Sequence, residues 1–368
     1  MRRKIKIHFF SSIKMNLLLN VFVFCIILFL YLHIYYHIKT SDDLEVFTLK
    51  FPSKNKLEEI CNMRQPTLFK YSNSEINKQF KLSSLEQNQG VFDVKIRKKE
   101  DDLYLPVLLK EAVKLFKTDT ENFFSEKNDE LLQETGLHKI LRNNDIFLRP
   151  PMVSKCEYDF CSGSANSFTP LRYTLNYRNY LHVCEGSVKI KLFSPVFSKY
   201  LYEVKDYDNF EFRSPINPWN VQNQYMKDFN KTKFIEIILN PSDIIYIPAY
   251  WWYSIKYIKP SSVLMFKYRT YMNTIAILPH IFIHTLQSLN LKWDIVNKIS
   301  SVTMNLTRSA HQSSLMVEEA SPQLETPLRQ SSLESTKSPP LDSPLESYTL
   351  MGSSLETSSP ISSAAATV

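Results

Sequence analysis

The sequence predicts a mainly β protein: a sandwich or barrel of short strands with flanking helices, one N-terminal transmembrane helix and a disordered C-terminal tail. Three observations predict it. Met15 to Tyr36 is a run of 22 residues without a charge. From about Asp145 to residue 272, short runs of Val, Ile, Phe and Tyr alternate with Pro, Asn, Asp and Ser, which is the grammar of strands and turns. From about Ser309 the chain is Ser, Thr, Pro and Glu with almost no aromatics, a composition that cannot bury enough surface to fold.

The 368 residues include 24 Phe and 20 Tyr, enough for a large core. The net charge of +7 is concentrated partly at the N-terminus, where Arg2, Arg3, Lys4, Lys6 and Lys14 precede any acid. In the body, bases are mixed with acids, as at Lys98-Lys99-Glu100-Asp101. That mixture reads as a solvated surface and argues against nucleic-acid binding, which needs a basic stripe.

Residues 15–36 are long enough to cross a hydrocarbon core of ~30 Å at ~1.5 Å per residue. A cleaved signal peptide is the rival, but its apolar stretch is shorter and ends at small residues. Here His37, Ile38 and Lys39 follow. Basic residues gather before the segment, whereas Lys39 and Lys50 lie beside Asp42, Asp43 and Glu45. The positive-inside bias therefore puts residues 1–14 in the cytosol and the main domain in the lumen or outside. Two glycosylation acceptors, at Asn230 and Asn305, suit that side. Cys61, Cys156, Cys161 and Cys184 lie beyond the anchor. They are compatible with disulfides, with Cys156 and Cys161 closing a small loop, or with reduced, partly buried thiols.

Residues 37–144 read as a stalk, to about residue 60, leading into a helical N-terminal layer. Leu108, Leu109, Ala112, Val113 and Phe116 recur at helical spacing, which predicts a helix from Pro106 to Lys117. A second helix is expected from Thr120 to Leu141, broken at Gly136. Val188, Ile190 and Leu192 alternate with Lys189, Lys191 and Phe193, the period of a half-buried strand. Phe234–Leu239 and Ile244–Pro248 read as a strand pair joined by Asn240-Pro241-Ser242-Asp243, and Ser262–Tyr268 as a further strand. Residues 273–308 return to a helical pattern. His280 and His284 share a face there, but among Ile, Phe and Leu they read as packed residues rather than metal ligands. Residues 309–368 are the tail.

Two segments carry a resemblance. The first is Thr169-Pro170-Leu171-Arg172-Tyr173-Thr174, followed by Asn179 to Gly186 and then Leu192-Phe193-Ser194-Pro195. The second is Asn240 to Tyr253, which contains Tyr246-Ile247-Pro248-Ala249-Tyr250-Trp251-Trp252-Tyr253. Over about residues 145–272 they resemble the cupin-like branch of the JmjC-type 2-oxoglutarate oxygenases, and within it the asparaginyl hydroxylases that inhibit hypoxia-inducible factor. The resemblance implies a double-stranded β-helix, or jelly roll. It also implies Fe(II) held by two His and one carboxylate, with 2-oxoglutarate as cosubstrate.

The positions that match the three iron ligands are Arg172, Thr174 and Tyr253. A guanidinium has no lone pair to give a metal. At the position of the cosubstrate lysine stands Val188, with Lys189 one residue later on the other face unless a bulge at Gly186-Ser187 turns it in. Thr169, Asn179, Val188, Tyr246 and Trp251 are the other candidate pocket residues. The resemblance with these replacements implies a pseudoenzyme without metal or cofactor, a membrane-tethered binding or structural module. The alternative is an active oxygenase with a rearranged site that uses Fe(II) and 2-oxoglutarate. Expected partners are the membrane, a protein or small anionic ligand, and a second copy docked through residues 273–299. Arg172 is expected either to receive an anion or to face solvent or an acidic side chain.

Overall fold

The computed structural model describes residues 2–98, 104–118 and 123–289, and the side chains of the first helix from Leu17 onward. The expected tail at 309–368, Asn305 and the helical pattern beyond 289 lie outside the described residues.

The uncharged run folds as part of α1 (Arg2–Ile38). Within it, Leu17–Ile38 has a mean hydropathy of 2.6 and is long and apolar enough to cross a membrane. The chain that follows is tied down. Arg64 is buried, at 8% exposure, and its Nη1 donates to the carbonyls of His37 (3.0 Å) and Lys39. These are acceptors that a helix C-terminus leaves unpaired. The Arg64 guanidinium also lies 4.8 Å from the centroid of the Tyr36 ring, and Gln65 Nε2 donates to Asp43 at 3.2 Å. The start of the expected stalk is therefore held against the domain.

The N-terminal layer follows. It comprises β1 (Phe47–Leu49), α2 (Lys54–Asn62), β2 (Thr67–Lys70), α3 (Ser74–Gln79), α4 (Leu82–Gln89), β3 (Asp93–Lys98), β4 (Tyr104–Leu108) and α5 (Leu109–Thr118). Ser53 and Asn73 cap α2 and α3 by accepting backbone N–H bonds. Leu109, Ala112, Val113 and Phe116 are all buried on α5, as their spacing predicts. The helix starts three residues later than expected. Pro106 lies instead in β4 opposite Lys95, and β4 is a sheet edge, where a missing N–H is tolerated.

The second expected helix is three elements: β5 (Phe123–Ser125), α6 (Asp129–Glu134) and α7 (Leu137–Asn144). The break at Gly136 is real, with φ at +72°.

The remaining strands are β6 (Val153–Gly163), β7 (Arg172–Tyr173), β8 (Arg178–Glu185), β9 (Val188–Phe193), β10 (Val204–Asp206) and β11 (Glu211–Arg213). After α8 (Met226–Phe229) come β12 (Phe234–Leu239), β13 (Asp243–Pro248), β14 (Trp252–Tyr257), β15 (Ser261–Thr270) and α9 (Tyr271–Ala276). A turn at Ile277 leads into a helical stretch over 278–289.

A nine-stranded sheet runs β1-β2-β13-β8-β15-β6-β5-β3-β4, and a six-stranded sheet runs β10-β11-β7-β14-β9-β12. All pairs are antiparallel except β1 with β2. One core cluster lies between the helical layer and the large sheet, including Phe116, Tyr180 and Phe266. A second lies between the sheets, including Val183, Val188, Ile245 and Ile255. A third lies on the outer side of the small sheet, including Phe193, Phe212 and Trp252.

Two expectations are corrected. β12 and β13 do not pair: β12 joins β9 in the small sheet, and β13 sits between β2 and β8 in the large one. The Asn240–Asp243 turn carries the chain from one sheet to the other, with Ser242 at φ +72°. Cys156 and Cys161 lie on one extended strand, roughly 16 Å apart at ~3.3 Å per residue and on opposite faces. They cannot bridge, and all five cysteines are free thiols.

Candidate functional site

β7 and β14 bring two distant pieces of chain together: Arg172 and Tyr253 are direct cross-strand partners. Thr174 follows two residues after Arg172. All three line one cavity of about 730 Å³ at the open end of the two sheets. The large sheet contributes Glu157 and Asp159 from β6 and Lys267 and Arg269 from β15; Glu211 comes from β11. The fold thus brings these three residues, from two stretches distant in sequence, to one cavity.

Arg172 does not face open solvent. Its Nη2 donates to Glu126 Oε2, and the Glu126 side chain is 1% exposed. Tyr104 donates its hydroxyl to the other carboxylate oxygen at 2.6 Å. Burial opposes ionisation of Glu126, but the Arg172 charge and the two hydrogen bonds hold its carboxyl below the usual range. Burial opposes the Arg172 charge too, and Glu126 more than compensates, so the guanidinium stays ionised. Its Nε has no hydrogen-bond partner among the described residues.

Beside this pair, burial pushes the Asp159 carboxyl up, partly offset by Lys267 and by backbone N–H bonds from Asn128 (2.8 Å) and Lys127 (3.1 Å). The Lys127 ammonium pairs with Glu211 at 2.8 Å. Lys267 differs. Its backbone is paired in β15, but its ammonium makes no hydrogen bond and no ion pair within 4 Å among the described residues. Burial works against its charge, but Asp159 and Glu157 keep its pKa above the ordinary lysine value. It is a charged ammonium directed at the cavity without a bonded partner.

Sequence reasoning missed both Glu126 and Lys267. Glu126 lies in a segment read as helix. Lys267 offered one signal: it is the only charge in the run Ser261–Tyr268.

The other five candidate residues are not at this cavity's wall. Thr169 is structural: its Oγ1 accepts from the Ile255 N–H at 3.0 Å, and its carbonyl from Ser254. Asn179 is buried and donates to the Ile247 carbonyl at 3.2 Å, with its Oδ1 unpartnered among the described residues. Val188 and Trp251 are buried between the sheets. Tyr246 turns the opposite way, into the helical layer, where its hydroxyl donates to the Cys61 carbonyl at 3.1 Å. Lys189 pairs outward with Glu236 at 2.8 Å, and β9 keeps a regular register from Val188 on, so no bulge turns it inward.

His280 and His284 are packed residues. Nδ1 of His280 meets the Tyr207 hydroxyl at 2.9 Å, and Nδ1 of His284 meets the Tyr207 carbonyl at 2.5 Å. Among the described residues, no group of three or more His, Cys, Asp or Glu is arranged to hold a metal.

Comparison with known proteins agrees with this architecture. A curated relative, JmjC domain-containing protein D of Dictyostelium discoideum, is 33% identical over 99 residues, which is 27% of this chain and 22% of the relative. The match therefore spans only about a fifth of that protein. A family model described as a cupin-like domain matches residues 57–273, from α2 through β15 and into α9. That range takes in the small sheet, the large sheet apart from β1, and most of the cavity wall, and the chain belongs to the cupin-like domain family.

Proposed function

We propose that this is a membrane-anchored cupin-like protein whose jelly roll does no oxygenase chemistry and acts as a binding module. The observation that carries the reading is the Arg172–Glu126 ion pair, buried where an oxygenase of this family would hold iron. Iron does not fit these residues. Arg172 offers a positive charge and no lone pair, Thr174 is a weak neutral donor, and Tyr253 is a single phenol. The cosubstrate fits no better: Val188 is apolar and fully buried where the likeness to the asparaginyl hydroxylases asks for a lysine.

With Glu126 neutralising Arg172, and Lys95, Lys127, Lys155 and Arg269 each paired with a carboxylate, Lys267 is the cavity-lining cation that, among the described residues, has no ion pair and can receive a ligand. Its chemistry suits a small carboxylate or an acidic side chain of a partner protein. The anchor is Leu17–Ile38, and the basic N-terminal flank favours a lumenal or extracellular domain. Asn230 is exposed, as a glycosylation acceptor on that side should be.

The test uses the full chain purified in detergent and loaded anaerobically with Fe(II). Metal content should stay far below one iron per chain, and no succinate should form from 2-oxoglutarate. Stoichiometric iron with turnover would restore the oxygenase reading. A thermal-shift screen of dicarboxylates should find stabilisation that Lys267→Ala removes. In microsomes, Asn230 should be glycosylated and the domain protected from external protease.

A further inference from the structure

We infer that residues 271–289 lie in the membrane interface beside α1, with the bilayer itself as their partner. The inference rests on the reading that α1 spans a membrane, and it adds a second contact that orients the domain.

This stretch contains no Asp, Glu, Lys or Arg. One side of it is docked on the domain. Asn273 and Ile277 are buried, and His280 and His284 meet Tyr207. The other side is apolar and uncovered: Tyr271 is 59% exposed, Ile275 40%, Leu278 55%, Phe282 61%, Leu286 47% and Leu289 56%. Beyond the turn at Ile277, at ~100° per residue, Leu278, Phe282, Leu286 and Leu289 fall within an arc of about 80°, one stripe, with Tyr271 and Ile275 on the short helix before it. A stripe of large apolar side chains facing outward marks an interaction surface.

What covers the stripe follows from its neighbour. α9 packs against α1, whose span carries a long exposed apolar surface. Of the residues in the span, Leu30, His33, Ile34 and His37 are the ones shielded by the protein, and all lie near its domain end. Tyr31 and Tyr35 are exposed at that same end, where interfacial aromatics sit. The Arg64 bonds to the His37 and Lys39 carbonyls tie the domain end of α1 to the domain. If the span is in the bilayer, its domain end and α9 beside it are at the headgroup level. The uncharged stripe then continues the apolar surface of α1 sideways, as in a helix that lies along the interface.

The experiment places spin labels on the full chain in phosphatidylcholine vesicles, in a background with Cys25→Ser and Cys156→Ser. Leu278→Cys and Phe282→Cys report on the stripe, Gln287→Cys on the opposite side of the helix, and Phe24→Cys on the span. Labels at 278, 282 and 24 should collide more with oxygen than with a water-soluble nickel chelate, and the label at 287 should show the reverse. A label at 24 in lipid with 278 and 282 in water overturns this inference and leaves the anchor intact. A label at 24 in water overturns the anchor and the inference together. Spin–spin broadening at 282 that persists as lipid is added in excess would mean a second copy covers the stripe, which also overturns it.

Discussion

The Arg172 guanidinium stands 5.8 Å from the centroid of the Tyr253 ring, its direct partner across β7 and β14. The ring faces a cation that is itself neutralised by Glu126 from the loop after β5. Three segments far apart in sequence therefore close over one buried charge pair.

The first prediction concerns that pair. Glu126→Gln leaves a buried guanidinium without its counter-charge and should destabilise the domain by about 3–5 kcal/mol. Replacing both partners by apolar residues, Arg172→Met with Glu126→Leu, should recover most of the loss. Chemical denaturation in detergent of Glu126→Gln and of the double variant measures it. Because the Glu126 carboxyl is held below the usual range, its stabilisation is present above the unfolded carboxylate value and is lost as pH falls through the lower folded value. Acid denaturation of Glu126→Gln should lack that component.

A second prediction uses His182. It is fully buried, its Nε2 meets Asn77 Oδ1 at 2.7 Å, and burial lowers its pKa to about 4. Below pH ~6.5 the unfolded chain takes up a proton that the folded one refuses, so stability falls with pH until about 4 and then levels. The total should be on the order of 3 kcal/mol. Denaturation midpoints at pH 7 and pH 5 should differ in the wild type, and differ less in His182→Gln.

The glycines give a graded test. An alanine Cβ at Gly163 would sit 2.5 Å from the Tyr257 ring, and one at Gly186 2.6 Å from the Pro260 carbonyl at a φ of +84°. Both substitutions should cost 1–3 kcal/mol or more, because a core ring and a backbone oxygen yield poorly. Gly136→Ala meets nothing within 4 Å and bears only the cost of its positive φ, about 1 kcal/mol. Thermal unfolding of the three variants should rank Gly136→Ala as the mildest.

Arg64→Ala removes the donors that close the end of α1. Hydrogen exchange should rise over residues 38–49 while the protection of β8 and β15 stays unchanged. Equal protection in variant and wild type would mean that the first strand, not the guanidinium, holds this segment.

The strands were legible where one face was apolar and the other charged, as at Val188–Phe193. The Arg172, Thr174 and Tyr253 positions were legible because a motif spaces them. The sheet crossing at Asn240–Asp243 was not, since a hairpin and a crossing need the same tight turn. Glu126 was hidden because a carboxylate in a Glu- and Asp-rich stretch looks like surface; only the fold shows it enclosed. The bonding role of Arg64 was illegible for a related reason: its partners are backbone carbonyls, which leave no trace in side-chain pattern.

The pairing of β2 with β13 places Thr67 opposite Tyr246, roughly 180 residues apart in the chain. At ~5–20 residues per second of synthesis, β2 waits on the order of 10–40 s for its partner. During that interval the apolar edge of β1 and β2 is exposed while the helix before it has already been made. The nascent protein therefore depends on whatever shields strand edges in its compartment, and slowing translation between residues 70 and 243 should raise aggregation more than the same delay placed after residue 270.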